Sequence, residues 1–541
     1  MRDKKFLLVF PPLSTPTSPP LGMAMLKGYV ERELPDWTIE TLDINLWCFN
    51  YILNGLRNGD LHLTPEAFAR IGTDLPGLLR AADIFKGSEY DNFFNSGTAY
   101  DICAKAILEF IDIFCTVLEQ ESEQWEKTRQ LSPLLEAMIQ RIDAAQPDML
   151  GISAIFSHQL PVGAALGSFF RTRRNMKVFF GGGCFTEGVS AFLKWYPESA
   201  DAVVSGDGED ALKSLLLKNG DPKGIPGVFY LENGEVTSRD PIFRKEIDEF
   251  GLPDFSGYDL FSYYSPQPVV ALLLSRGCYW RKCTFCVHYF SAGDSYRVRS
   301  FEQIIELLRM MVSLGVRHFS FVDEMIAPGY FAKLAEAIEN AGLDIAYYAL
   351  SKPNRTFTPK VLNKMARSGC RYVLWGMESG NQRILNLMDK GTQPAEIGEV
   401  LKHSHAAGIS NHVYVICGFP TETREEYAET IEFLRENRPY IQATHRSTFS
   451  LEAGSPISKE QARFGIIESW VARETSLGGR LGYRTSSGMS MEEARDVFQA
   501  SLSFLKSFND YAQYLANFRD HALLVYDHQW RQGERDLPEQ S

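Results

Sequence analysis

The chain has no stretch of about 18 uninterrupted apolar residues, so no membrane-spanning helix is expected. It has no long run of lysine and arginine. Its longest basic group, RTRRN at 171–175, reads as a solvated helix end, and the net charge is −13. A nucleic-acid partner is therefore not expected. Cysteine is scarce, at nine in 541 residues. Six of the nine, Cys48, Cys103, Cys115, Cys184, Cys370 and Cys417, are scattered among apolar residues and read as buried small hydrophobes. The odd count and low density argue against a disulfide framework and for a reducing, cytoplasmic compartment. The N-terminus, MRDKKFLLVFPP, opens with charges and an apolar run as a secretory signal does. The run stops at Pro11-Pro12 with no small-residue cleavage site behind it, so it reads as a first β-strand.

What is present reads as globular. Hydrophobic residues make up 45% and charged residues 23%, and the length predicts two or three domains. Apolar strands alternate with helices over residues 1–245, through KFLLVFPP, WTIETLDIN, DMLGISAIFS, KVFFGGG and ADAVVSGDGE. That rhythm predicts a doubly wound, Rossmann-like parallel sheet with helices on both faces. GVFYLENGEVTS closes it as a hairpin turning at Asn233-Gly234. A helical insertion is expected over about 50–145. The Pro-, Gly- and Tyr-rich residues 246–268 read as an interdomain linker. The βα rhythm then restarts over 269–445 and predicts a parallel barrel with its functional loops at the strands' C-terminal ends. Residues 446–541 read as a mainly helical cap that ends in a frayed tail, RQGERDLPEQS.

The remaining cysteines, Cys278, Cys283 and Cys286, fall within nine residues in SRGCYWRKCTFCVHYF. Arg276, Arg281 and Lys282 surround them. Those cations are poor core neighbours and favour thiolate. Four readings are open: chance clustering in a buried loop, a structural zinc site completed by His288, a redox pair Cys283–Cys286, and an iron–sulfur cluster. Three thiolates on a cubane leave one iron with an open position for a small chelator.

RGCYWRKCTFC resembles the cluster loop of the radical S-adenosylmethionine (radical SAM) superfamily. The usual spacing there is C-x3-C-x2-C; here it is C-x4-C-x2-C. FVDEMI, GCRYVLWGMESGNQRILNLMDKG and GFPTETREEYAETIEFL resemble further segments of that family in order. The resemblance implies a 4Fe-4S cluster on Cys278, Cys283 and Cys286, and S-adenosylmethionine near Phe285, Asp323, Glu324, Gly376, Glu378, Ser379 and Gly418. It makes the core a partial (β/α)6 TIM-like barrel.

FPPLSTPTSPPLGMAMLKGYV, PDMLGISAIFS, VFFGGGCFTEG and ADAVVSGDGEDAL resemble the cobalamin-binding domain that precedes many such cores. Cobalamin contacts are implied for Pro11, Pro12, Gly22, Ser153, Gly181, Gly182, Gly183, Gly206, Gly208 and Glu209. The D-x-H-x-x-G segment that gives cobalt a histidine in related domains is missing. His158 reads either as a neighbour of the corrin or as a satisfied loop residue. Together the resemblances imply a cobalamin-dependent methyltransferase. It would act on an unactivated carbon of a small-molecule or peptide natural product, with a flavodoxin- or ferredoxin-type electron donor. A radical cyclase or rearrangement enzyme and a zinc-stabilised binding protein are the alternatives.

Overall fold

The computed structural model describes residues 4–533 apart from 187, 289–291, 294 and 472–478. The expected frayed tail falls mostly on 534–541, outside the described residues. Two compact units emerge. One holds Met1–Glu89, Ile102–Pro266 and Ser291–Gly293; the other holds Tyr90–Asp101, Gln267–Phe290 and Asp294–Ser541.

The first unit is built on seven strands: β1 (Lys4–Phe10), β2 (Trp37–Asp43), β3 (Met149–Ser153), β4 (Lys177–Gly181), β5 (Ala202–Val204), β6 (Val228–Glu232) and β7 (Glu235–Ser238). Their order is 2-1-3-4-5-6-7. The first five pair in parallel and the last two join antiparallel. Phe6 to Phe10 of β1 are all buried, because helices cover both faces. Phe6, Leu8 and Phe10 pack with Met23 and Val30 of the helix Leu21–Glu33 and Leu212 and Leu215 of Gly208–Leu217. On the other face, the helix Leu160–Arg174 brings Gly163 and Gly167 onto Phe180. The β6–β7 hairpin turns at Asn233 and Gly234, with φ of 54° and 84°, the two left-handed residues that a type I′ turn needs.

The chain between β2 and β3 is helical, from Ile44–Asn58 to Pro133–Asp143. Asp43, Thr64, Asp74 and Ser132 each cap a helix there by accepting a backbone N–H. Residues 246–268, expected as a linker, are packed within the first unit as far as Pro266. Phe250, Phe255, Leu260, Tyr263 and Tyr264 are buried. Tyr263 donates to Asp43 Oδ2 at 2.9 Å and Tyr264 to Asn50 Oδ1 at 2.8 Å. The proline and glycine content marked irregular backbone; the aromatics fix it in place.

In the second unit, β8 (Val269–Leu272) is followed by a short antiparallel pair, β9 (Ser275–Arg276) and β10 (Arg297–Val298). Then come β11 (His318–Phe321), β12 (Ala346–Ser351), β13 (Cys370–Glu378), β14 (Ser410–Cys417) and β15 (Ala443–Thr448). β8 and β11 to β15 form a six-stranded, wholly parallel sheet in chain order, with a helix in each connection from β11 onward. This is the expected partial (β/α)6 barrel. Beyond it the structure adds a small antiparallel sheet absent from the sequence reading: β16 (Leu451–Glu452), β17 (Ile466–Val471) and β18 (Arg480–Thr485). Two longer helices follow, Met491–Lys506 and Arg519–Arg531. The last is pinned to the barrel by Asp527, which accepts from His318 of β11 at 3.1 Å and Arg371 of β13 at 2.7 Å. Among the described residues, no helix is long and apolar enough to cross a membrane.

Candidate functional site

The cysteine loop leaves the C-terminal end of β8. Asp323, just past β11, is wholly buried, accepts from Ser275 Oγ at 2.5 Å and from Leu274 N at 3.3 Å, and burial pushes its carboxyl up to about 7. It therefore anchors the start of the loop. The other end is tied to the 387–391 turn. Thr284 donates from N to Met388 O at 3.0 Å and from Oγ1 to Leu387 O at 2.9 Å. Between these anchors, Trp280 donates to Asp389 O at 2.7 Å. Its ring lies against Gly391, where a Cβ would stand 2.2 Å away. Lys352 Nζ sits 3.0 Å from the ring centroid. Arg281 takes a left-handed φ of 54°, so the four-residue spacer folds as a lobe.

Burial pushes Cys286 up to about 12 and also raises Cys283. The thiols perturb one another, while Lys390 and Lys352 pull Cys283 down. Among the described residues, no three His, Cys, Asp or Glu side chains converge closely enough for a single metal ion. His288, the fourth ligand of the zinc reading, has a side chain 71% exposed and lies 3.9 Å from Glu324. Zinc draws four ligands to one point. A cluster spreads its thiolates over several irons. The donor set thus fits a cluster and not a closed Cys3His site.

At the end of β13, Glu378 has a φ of 67° and accepts from Lys390 Nζ at 2.8 Å, with side chains 11% and 2% exposed. Gly376 makes room for the pair; a Cβ there would be 2.8 Å from Lys390 Nζ. Burial works against the ammonium, but Glu378 and Cys283 overrule it and raise the Lys390 pKa. Burial and Lys390 together bring Lys352 down to about 8. Phe285 lies 6.0 Å from Lys390 Nζ. Glu378 also lines a cavity of 580 Å3 with residues of β14, β15 and the C-terminal helices.

Two further residues expected near the cofactor make hydrogen bonds within the chain. Ser379 is wholly buried, 3.1 Å from Thr430 Oγ1, and accepts from Asn381 N. Gly418, with a φ of 82°, donates to Glu422 Oε2 at 2.6 Å, and a Cβ on it would meet Ala494 at 2.3 Å. Glu324 stays partly exposed, beside His288.

In the first unit the strand order reverses between β1 and β3, and ligands of such sheets bind at the C-terminal edge of that switch point. Pro11 and Pro12 follow β1, Ser153 ends β3, Gly181 ends β4 with Gly182 and Gly183 next, and Gly206 and Gly208 follow β5. All stand on this edge. Gly182 has a φ of 112°, and a Cβ there would be 2.3 Å from Ala154 O, so only glycine lets the two loops touch. Gly22 has nothing within 4 Å of a Cβ and leaves open space. Glu209 is 2% exposed and lies in the first turn of the helix Gly208–Leu217. His158 lies 2.5 Å from Leu13 O and is lowered by burial, which makes it the satisfied loop residue.

The family model of the Radical SAM superfamily matches residues 272–434, and that of the B12 binding domain matches 106–216. The chain belongs to the cobalamin-binding radical SAM family. An uncharacterized methyltransferase of Pyrococcus horikoshii is 32% identical over 298 residues, covering 54% of this chain and 64% of that protein. The chain thus spans less than two thirds of this relative. Cytidylyl-2-hydroxyethylphosphonate methyltransferase of Streptomyces wedmorensis is 26% identical over 416 residues, 67% of this chain and 75% of that one. Of solved structures, the cobalamin-dependent S-adenosylmethionine radical enzyme OxsB aligns over 94% of this chain and 67% of its own, with TM-score 0.62 and 15% identity. The radical S-adenosylmethionine methyltransferase TsrM from Kitasatospora setae aligns over 94% and 89%, with TM-score 0.60 and 15% identity. At that identity the likeness is one of fold.

For a cobalamin-binding radical SAM protein, several residues that matter here carry no local signal. Lys390, in NLMDKG, reads as an ordinary basic helix end, yet it is buried against Glu378. Gln159 is wholly buried, accepts from Ile155 N and Phe156 N, and donates to Pro11 O at 2.6 Å. It ties the two loops of the switch point together.

Proposed function

We propose that the protein transfers a methyl group to an unactivated carbon of a small-molecule or peptide substrate, with S-adenosylmethionine, a 4Fe-4S cluster and cobalamin as cofactors. One observation carries this reading: a loop of three thiols at one sheet's C-terminal edge and a glycine-lined switch point on a second sheet occur in one chain. When bound, these groups supply reductive cleavage of the sulfonium and a cobalt-carried methyl. The chain's own residues do the rest. Cys278, Cys283 and Cys286 would hold the cluster through their thiolates. Lys390 and Lys352 place positive charge beside Cys283. Glu378, oriented by Lys390, would accept from the cofactor's ammonium or ribose hydroxyls. Pro11, Pro12, Ser153 and Gly181–Gly183 would receive the corrin. An electron donor of the flavodoxin or ferredoxin class supplies the reducing electrons.

The test begins with metal and sulfide content of protein reconstituted without oxygen, beside a Cys278→Ala/Cys283→Ala/Cys286→Ala variant. About four irons per chain, lost in the variant while cobalt stays, support the assignment. One zinc and no iron refutes it. Mass analysis of turnover with methyl-deuterated S-adenosylmethionine then reads transfer directly; product without label refutes methylation.

A further inference from the structure

The cavity beside Glu378 has both apolar and cationic lining. Val415 of β14 and Phe498 and Leu502 of the helix Met491–Lys506 are apolar. Arg446 of β15 and Arg519 at the start of the helix Arg519–Arg531 also line it, and both act on His445. Neither guanidinium forms an ion pair with a carboxylate among the described residues, although Asp520 lies close enough to raise the pKa of Arg519. Arg446 Nη1 donates only to Thr444, to its O at 2.9 Å and its Oγ1 at 3.3 Å. Arg519 Nη2 donates to Tyr414 OH at 2.6 Å. Glu378 is paired with Lys390, and Asp520 is a buried carboxylate that acts on Arg519 as well as on Tyr348 and Tyr372. Burial and the two guanidiniums bring His445 down to about 3, so it stands as a neutral imidazole. Two arginines that form no ion pair thus line one cavity, and an anion between them would complete both forks.

We propose that Arg446 and Arg519 form an oxyanion subsite that receives a phosphate or carboxylate group of the substrate, with its carbon skeleton against Phe498 and Leu502. This rests on the proposed function and narrows its substrate class to acidic small molecules. Arginine's planar fork suits either group through paired N–H···O bonds. The rival source of the same chemistry is the carboxylate of S-adenosylmethionine, and the test separates the two.

Inorganic phosphate, acetate and S-adenosylmethionine are titrated separately into the reconstituted protein by calorimetry, and into Arg446→Gln and Arg519→Gln. Phosphate or acetate affinity should fall about tenfold or more in each variant, as loss of a charged hydrogen bond implies. S-adenosylmethionine affinity should stay within about twofold. Equal phosphate and acetate affinities in all three proteins overturn the subsite; a parallel fall for S-adenosylmethionine assigns the arginines to the cofactor and overturns it too. Against misfolded variants, the unaltered protein supplies a second reading: phosphate should slow phenylglyoxal labelling of Arg446 and Arg519, and absence of protection overturns the proposal. Anion binding is read without turnover, so a protein that binds phosphate here yet transfers no methyl loses the methyltransferase reading alone.

Discussion

Replacing Lys390 by methionine keeps the length of the side chain and removes its charge. The pair it breaks is 2.8 Å long and nearly closed to solvent. At an effective dielectric of about 20, two charges at that distance attract by about 6 kcal/mol. Desolvation of both groups offsets much of this, and breaking a buried pair from one side costs about 3–5 kcal/mol. Glu378 opens on the cavity, so water softens its isolation and the lower end, about 3 kcal/mol, is expected. Glu378→Gln should cost a similar amount by stranding Lys390. The double variant should recover most of the loss, because no buried charge is left unpaired. Hydrogen exchange of peptides covering β13, read by mass spectrometry on the full chain without cofactors, reports opening of the second unit separately from the first. Each single variant should lose roughly a hundredfold in protection, and the double variant about tenfold or less. If the two single losses simply add in the double variant, the pair is not coupled and the account of Lys390 is wrong.

Gly391→Ala places a Cβ 2.2 Å from the Trp280 ring at a φ of 63° and should eject the ring, lowering iron retained after reconstitution while cobalamin stays bound; unchanged iron content counts against the lobe as a clamp. Gln159→Leu removes three hydrogen bonds at the switch point, about 3 kcal/mol in sum, and should weaken cobalamin retention read from its visible absorbance, with iron unaffected. Burial raises the Glu422 carboxyl to about 8, above its unfolded value of about 4.3. The folded chain then keeps a proton that the unfolded chain releases, so this group's contribution is fully present below about pH 4 and is lost as pH rises through about 8, by at most about 1.4 kcal/mol per pH unit. Glu422→Gln should flatten the fall in urea midpoint between about pH 5 and pH 8; an unchanged slope refutes the assignment.

The parts of this protein legible in its sequence are those set by local rules. Parallel strands buried on both faces write themselves as apolar runs, and Thr358, Thr423 and Ser490 mark helix starts through their own side chains. The short strands β16 to β18 have little periodicity, and β16 joins the sheet only across the intervening helical turns, so the sequence left them unassigned. The site split along the same line. Three cysteines at close spacing announce themselves, whereas Lys390 and Gln159 take their meaning from burial that only the fold confers. The same holds for Asp323 and Ser379, which stand just past strand ends and are turned inward by hydrogen bonds invisible in the linear chain.

The extra residue of C-x4-C-x2-C illustrates how the two levels meet. Ser275 on Asp323 fixes the loop where it enters, and Thr284 on Met388 and Leu387 fixes it beside the second cysteine. An added residue between two such anchors has to leave the path between them. It does so through the left-handed Arg281, a conformation that costs a non-glycine residue about 1–2 kcal/mol. Trp280 offsets that cost: its indole N–H is satisfied, its face covers Lys352 and its edge fills the space that Gly391 leaves. Lys352 in turn donates to Lys390 O at 2.9 Å, which joins the lobe to the residue that orients Glu378. The insertion is therefore absorbed by a clamp linked to the proposed cofactor pair, and shortening the loop to the common spacing by deleting Trp280 should loosen both.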